Sequence, residues 1–318
     1  MIYVLLIIGF ILLVKGADVL VAGASSLAKR LKISDIVIGL TVVSFGTSMP
    51  ELVVNVISSN NGSSDLAIGN VLGSNISNIL LILGISAMIA PLPILRNTVL
   101  SEIPFSLIAT LLVGFLANAS LFESQHQLQI SRYDASLLLF FFVLFMFYIF
   151  MITKENRDET ETETYEELSV LKSVLYVLSG CFALFLGGKW VVDGAIELAQ
   201  SFGMSESFIG LTVVAVGTSL PELVTSAMAA YRGNTDIAVG NVVGSNIFNL
   251  LWILGLSALI KPLPFKLLSN TDIGMLIFSS TLLFVALMIG RRNVIDRWNG
   301  VTFVVIYISY ISYLVVRG

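Results

Sequence analysis

The chain has 318 residues, of which 56% are hydrophobic and 12% charged, with a formal net charge of −4. Soluble domains carry about 25% charged residues, so this composition excludes a soluble enzyme, and it offers no basic surface to nucleic acid. One cysteine, Cys181, and one histidine, His126, can form neither an internal disulfide nor a thiolate or His-rich metal centre.

A spanning helix needs about 20 mostly apolar residues. Ten such runs follow one another, at roughly 1–30, 35–60, 66–90, 98–118, 131–153, 170–203, 206–232, 236–260, 270–290 and 298–317. The first and sixth are the longest. The first is no cleavable signal, because no basic segment precedes it and its apolar character continues past Lys15 and Asp18. The runs are continuous rather than alternating, which argues against a β-barrel. The expected fold is an all-α membrane protein of ten transmembrane helices in the cell (inner) membrane. With the N-terminus outside, the inner loops hold 11 of the 17 Lys and Arg residues and the outer loops 4. That bias places both termini outside.

Residues 39–93 and 210–264 repeat one another at a constant offset of 171, with 33 identities in 55 ungapped positions. Each half holds five spans. An odd number inserts the second copy upside down, as in the inverted repeats of secondary transporters. The expected organisation is a first five-helix repeat over 1–153, an acidic cytoplasmic linker over 154–169 and a second, inverted repeat over 170–318. The stretch 153–169 carries seven acids against Lys154 and Arg157. It has no EF-hand spacing and reads as a solvated linker.

The first duplicated motif is Gly46-Thr47-Ser48-Met49-Pro50-Glu51, copied as Gly217-Thr218-Ser219-Leu220-Pro221-Glu222. A mid-span proline lacks an N–H and clashes with the carbonyl four residues back. Pro50 and Pro221 are therefore expected to break their helices, with Met49 and Leu220 pushed from helical dihedrals. Glu51 and Glu222 then sit at the start of the continuing half-helices, beside freed carbonyls and hydroxyls. Intramembrane acids mark function, and neither repeat core offers a basic residue near these two. A bound cation or a proton must compensate them, and oxygen-only ligands suit hard ions such as Ca²⁺ and Na⁺.

The second motif runs Gly69-Asn70-Val71-Leu72-Gly73-Ser74-Asn75-Ile76-Ser77-Asn78 and Gly240-Asn241-Val242-Val243-Gly244-Ser245-Asn246-Ile247-Phe248-Asn249. Gly69 and Gly73, with Gly240 and Gly244, form small faces for close helix packing. Ser74 and Asn78 share one helix face, as do Ser245 and Asn249, and all four are expected to line the site. Lys15 with Asp18, and Lys189 with Asp193, read as pairs within their own helices or as snorkelling side chains.

The paired motifs resemble those of the calcium/cation antiporter superfamily, most of all its prokaryotic Na⁺/Ca²⁺ exchangers. The resemblance implies Glu51 and Glu222 as acidic ligands of a central Ca²⁺ site, completed by the carbonyls of Thr47 and Thr218. It implies Ser48, Ser219, Ser74 and Ser245 as hydroxyls of flanking Na⁺ sites, with the carbonyls of Ser44 and Ala215 also facing Na⁺. Asn78 and Asn249 match the polar pair between the repeats. The G-N-x-x-E pattern typical of Ca²⁺/H⁺ exchangers is absent. K⁺-dependent relatives carry an acid where this chain has Asn249, so K⁺-independent exchange of about three Na⁺ for one Ca²⁺ by alternating access is expected. The alternatives are a Ca²⁺/H⁺ antiporter or a K⁺-dependent Na⁺/Ca²⁺ exchanger using the same glutamates. A channel is disfavoured by the inverted duplication. A hydrolase using Ser48 or Ser219 lacks a nearby base, so no enzymatic activity and no cofactor are expected. The expected partners are the transported Ca²⁺ and Na⁺ and the lipid bilayer, with no nucleic acid and no obligatory protein partner.

Overall fold

The structure, a computed structural model, describes residues 2–121, 128–155, 168–201, 215–289 and 291–317. The first half contains α1 (Ile2–Leu31), the bent pair α2 (Asp35–Thr47) and α3 (Met49–Asn61), α4 (Ser64–Ile89), α5 (Arg96–Leu121) and α6 (Arg132–Glu155). The second contains α7 (Val170–Ser201), α8 (Ala215–Thr218), α9 (Leu220–Tyr231), α10 (Thr235–Ile260), α11 (Leu267–Met288) and α12 (Arg297–Arg317). Among the described residues, eight helices, and the α2–α3 pair as a ninth span, are long and apolar enough to cross a bilayer. The expected run at 206–232 begins outside the described residues, and α8 and α9 are its described part. Most of the acidic stretch 154–169 and His126 also lie outside them.

The chain is an all-α membrane protein built from two inverted repeats, and small contacts expose the two-fold relation. Two-residue strands follow α4 (β1, Leu92–Pro93), precede α6 (β2, Gln129–Ile130), follow α10 (β3, Leu263–Pro264) and precede α12 (β4, Val294–Ile295). β1 pairs antiparallel with β4, and β2 with β3. Each pairing joins the two halves, and exchanging the halves turns one into the other. The turns also match. Gly62 after α3 and Gly233 after α9 adopt φ of 78° and 82°, a left-handed conformation that favours glycine.

The outer faces of the helices carry the exposed apolar side chains, such as Phe115, Phe140, Phe147, Phe182 and Val305. Buried serines and asparagines concentrate inside, on α2–α4 and α8–α10. That distribution is the one lipid demands, since only the interior can satisfy polar groups.

The long helices α1 and α7 run antiparallel along a seam of α1 glycines spaced by seven residues: Gly9 against Gly187, Gly16 against Gly180 and Gly23 against Ser173. A Cβ built on Gly16 would lie 3.1 Å from the Gly180 carbonyl oxygen, and one on Gly180 would lie 2.8 Å from that of Gly16. Gly9 and Gly187 repeat the relation at 3.0 and 2.8 Å. Backbones this close exclude any side chain at the seam. Without a hydrophobic driving force between helices in lipid, such close approach supplies the packing energy. The α1 acid also departs from the sequence expectation. Asp18 pairs with Arg232, just past the end of α9, rather than with Lys15 of its own helix. A bridge between helices ties α1 to the second repeat, where a pair within one helix could not.

Candidate cation site

The α2 helix ends at Thr47, Ser48 takes φ −82° and ψ 8°, and α3 leaves at 48° to α2. Ser219 repeats the conformation at φ −86° and ψ 6° between α8 and α9. The sequence expectation put the distortion on Met49 and Leu220. The structure moves it one residue earlier, and Met49 and Leu220 instead open the new helices. Turning the chain at the serine puts Pro50 and Pro221 in the first helical turn, where a missing N–H costs nothing. Pro50 therefore has no hydrogen to offer the Gly46 carbonyl.

Glu51 and Glu222 stand in those first turns, both fully buried. Each carboxylate is approached by a serine from the other half. Ser48 Oγ lies 2.8 Å from Glu222 Oε1 and 3.0 Å from Ser245 Oγ. In the mirror arrangement, Ser219 Oγ lies 3.4 Å from Glu51 Oε1 and 3.0 Å from Ser74 Oγ. Ser74 Oγ is itself 3.3 Å from Glu51 Oε1. The four predicted serines and both glutamates thus form one buried cluster across the repeat interface.

Second oxygens are left over. Glu51 Oε2, Glu222 Oε2, Asn78 Oδ1 and Asn249 Oδ1 are all buried without a hydrogen-bond partner among the described residues. An unsatisfied buried acceptor costs about 1–3 kcal/mol, more for a charged one. Four of them lie on two pairs of residues related by the repeat. Unpartnered oxygens of this kind suit a hard cation. Among the described residues, no group of three or more His, Cys, Asp and Glu side chains assembles as an alternative metal centre.

The threonines reach across the interface too. Thr47 Oγ1 donates to Asn241 Oδ1 at 3.0 Å, and Thr218 Oγ1 to Asn70 Oδ1 at 3.4 Å. Both hydroxyls donate there, and their oxygens keep lone pairs beside the Thr47 and Thr218 carbonyls. Ser44 is buried, and its carbonyl accepts the Ser48 N–H at 3.0 Å and the Thr47 hydroxyl at 3.3 Å. Ala215 opens α8.

Gly240 and Gly244 lie against α2: a Cβ there would meet the carbonyl oxygens of Ile36 at 2.8 Å and Leu40 at 2.6 Å. Gly69 and Gly73 have nothing within 4 Å of a built Cβ among the described residues. The segment that corresponds to Ile36–Leu40 in the other half, 207–211, lies outside those residues.

Sequence reasoning missed the asparagines that brace this cluster. Asn70 and Asn241 donate to the backbone carbonyls of Glu51 and Glu222 at 3.5 and 3.4 Å. Asn75 accepts from Asn249 at 3.0 Å, and Asn246 from Asn78 at 2.9 Å. Their recurrence in both copies was the available signal. The π-helical turns at Asn78–Ile82 and Phe248–Ile253 were missed as well. Such turns tend to mark functional positions. One brace is asymmetric: Asn55 accepts from Asn70 at 2.7 Å and donates to Ser257, whereas its counterpart Ser226 accepts from Asn241 at 2.9 Å.

The family profile described as sodium/calcium exchanger protein matches residues 1–151 and 172–316. The chain belongs to that family. It is a multi-pass membrane protein of a transporter family rather than of a catalytic one. It is 36% identical over 316 residues to the putative antiporter CaxA of Alkalimonas amylolytica, covering 96% of each chain. It is 32% identical to the sodium/calcium exchanger MaX1 of Methanosarcina acetivorans, covering 98% of each. The structure of the sodium-calcium exchanger NCX_Mj soaked with 10 mM Na⁺ superposes with a TM-score of 0.81 at 33% identity, covering 98% of this chain and 99% of that one.

Proposed function

We propose that this chain is a secondary antiporter that exchanges Na⁺ for Ca²⁺ at the cluster around Glu51 and Glu222. The observation that carries the reading is the set of four buried acceptor oxygens without donors. Their two carboxylates are hydrogen-bonded by serine hydroxyls. A site of charge −2 is neutralised by one Ca²⁺. The hydroxyls of Ser48, Ser74, Ser219 and Ser245, with the carbonyls of Ser44, Thr47, Ala215 and Thr218, provide neutral oxygens over which several Na⁺ divide the same site. The relative MaX1 bears the name of a sodium/calcium exchanger, and NCX_Mj takes its name from the same exchange.

Three Na⁺ against one Ca²⁺ moves one net charge per cycle. Ion load compensates the carboxylates and permits occlusion, and the empty site stays charged and cannot close over. The pair α1 and α7, welded by its glycine seam, moves as one body to alternate access. With asparagine at both 78 and 249, the site holds no third acid to retain K⁺, and exchange is K⁺-independent. The halves 1–153 and 170–318 carry one repeat each, with both termini outside and the acidic linker in the cytoplasm.

The test is ⁴⁵Ca²⁺ uptake into Na⁺-loaded proteoliposomes diluted into Na⁺-free buffer, with and without external K⁺. Uptake that needs the Na⁺ gradient and ignores K⁺ is the expected result. Uptake driven only by a pH gradient would overturn Na⁺ coupling and make the same glutamates proton carriers. Uptake that requires K⁺ would overturn the inference from Asn249.

A further inference from the structure

We propose that Asn75 is a positioning residue that turns the amide oxygen of Asn249 toward the transported cation. The inference rests on the site reading above and adds a residue outside the expected ligand set.

An amide has an oxygen edge that only accepts and a nitrogen edge that only donates, and nothing in its shape tells the two apart. A backbone carbonyl, however, only accepts. Asn75 Nδ2 lies 3.4 Å from the backbone carbonyl oxygen of Asn246, so its nitrogen must face α10. Asn75 Oδ1 is thereby turned to Asn249, whose Nδ2 lies 3.0 Å away. That oxygen accepts, so Asn249 must present its NH₂. The second hydrogen of the same NH₂ meets Ser74 Oγ at 3.3 Å. Both donors of Asn249 are then used, and its Oδ1 is left on the opposite edge, buried and without a partner.

Ser74 also touches the Glu51 carboxylate at 3.3 Å, which places Asn249 in the same shell as the acid. A neutral amide beside a cation helps only with its oxygen forward; reversed, it aims two N–H bonds at positive charge. Asn75 therefore decides whether Asn249 attracts or repels the ion. All members of the relay are fully buried or nearly so, out of reach of bulk water that could substitute for a lost partner. The other half shares the amide pair, with Asn78 Nδ2 donating to Asn246 Oδ1 at 2.9 Å and the Asn78 oxygen without a partner among the described residues.

The experiment is equilibrium ⁴⁵Ca²⁺ binding to the purified full-length protein in detergent, with Na⁺ displacement, for Asn75→Leu in two backgrounds. Outer partners of metal ligands are worth about 10–100-fold in affinity, so Asn75→Leu should weaken Ca²⁺ binding at least tenfold when position 249 is asparagine. In the Asn249→Asp background the ligand has an acceptor oxygen on both edges. Its orientation no longer matters, and adding Asn75→Leu should change affinity less than about threefold, under 1 kcal/mol.

A merely structural role for Asn75 predicts equal losses in both backgrounds, and that result overturns the proposal. So does an unchanged affinity with asparagine at 249. Where Asn75→Leu aggregates, Asn75→Ala makes the same deletion of acceptor and donor and is read by the same comparison. Failure of the broader reading looks different: the wild-type protein then shows no Na⁺-displaceable ⁴⁵Ca²⁺ at all.

Discussion

Replacing Glu51 by glutamine tests the charge balance most directly. The change keeps the side-chain shape and removes one unit of charge from a fully buried group. Oε1 has neighbours in Ser74 at 3.3 Å and Ser219 at 3.4 Å, while Oε2 has none. A glutamine can keep its oxygen on only one of those edges. Either it loses the acceptor for the serines, or it puts its NH₂ where the unpartnered Oε2 stood. The charge term is larger: a Ca²⁺ held by Glu222 alone leaves a net +1 in a buried site. Removing one partner from a buried charge pair costs about 3–5 kcal/mol, which is roughly a 100- to 4,000-fold loss of Ca²⁺ affinity at 1.4 kcal/mol per decade. The assay is ⁴⁵Ca²⁺ binding and Na⁺-driven uptake by Glu51→Gln, with size-exclusion elution as the check on folding. Glu222→Gln should behave alike, because the repeat gives it the same role. A well-folded Glu51→Gln that keeps its affinity within threefold would refute the reasoning, since one carboxylate would then suffice.

Further outcomes follow from the same geometry. If three Na⁺ replace one Ca²⁺, a clamped potential of 100 mV is worth about 2.3 kcal/mol per cycle. The equilibrium Ca²⁺ ratio across valinomycin-clamped vesicles should then shift about 50-fold per 100 mV, and a potential-independent ratio would indicate electroneutral exchange. Gly16→Ala puts a methyl group 3.0 Å from Ala183 Cβ and 3.1 Å from the Gly180 carbonyl oxygen. It should force α1 from α7 and cost about 1–3 kcal/mol, visible as a lower melting temperature in detergent. An unchanged melting temperature would show that the seam can widen freely.

Several features are legible in the chain itself because they are local or repeated. The length of apolar runs reports a membrane, since a bilayer asks only for about 20 residues of low polarity. The duplication exposes the two glutamates, and their lack of basic neighbours in sequence points to an external cation. The proline predicts a break, but not its place. The turn falls on Ser48 and Ser219, because the whole first turn adjusts to put the proline where its missing N–H is harmless.

What the tertiary structure alone decided lies between the halves. The serines of one repeat meet the glutamate of the other, Ser48 with Glu222 and Ser219 with Glu51. Asp18 finds Arg232 rather than a neighbour on its own helix. Asn75 and Asn246 hydrogen-bond asparagines of the opposite copy, and Gly9 and Gly16 of α1 meet Gly187 and Gly180 of α7. Helical periodicity tells which residues share a face of one helix, but not which face of a distant helix it meets. That choice belongs to the pseudo-two-fold packing, which becomes definite only once both repeats are folded against each other.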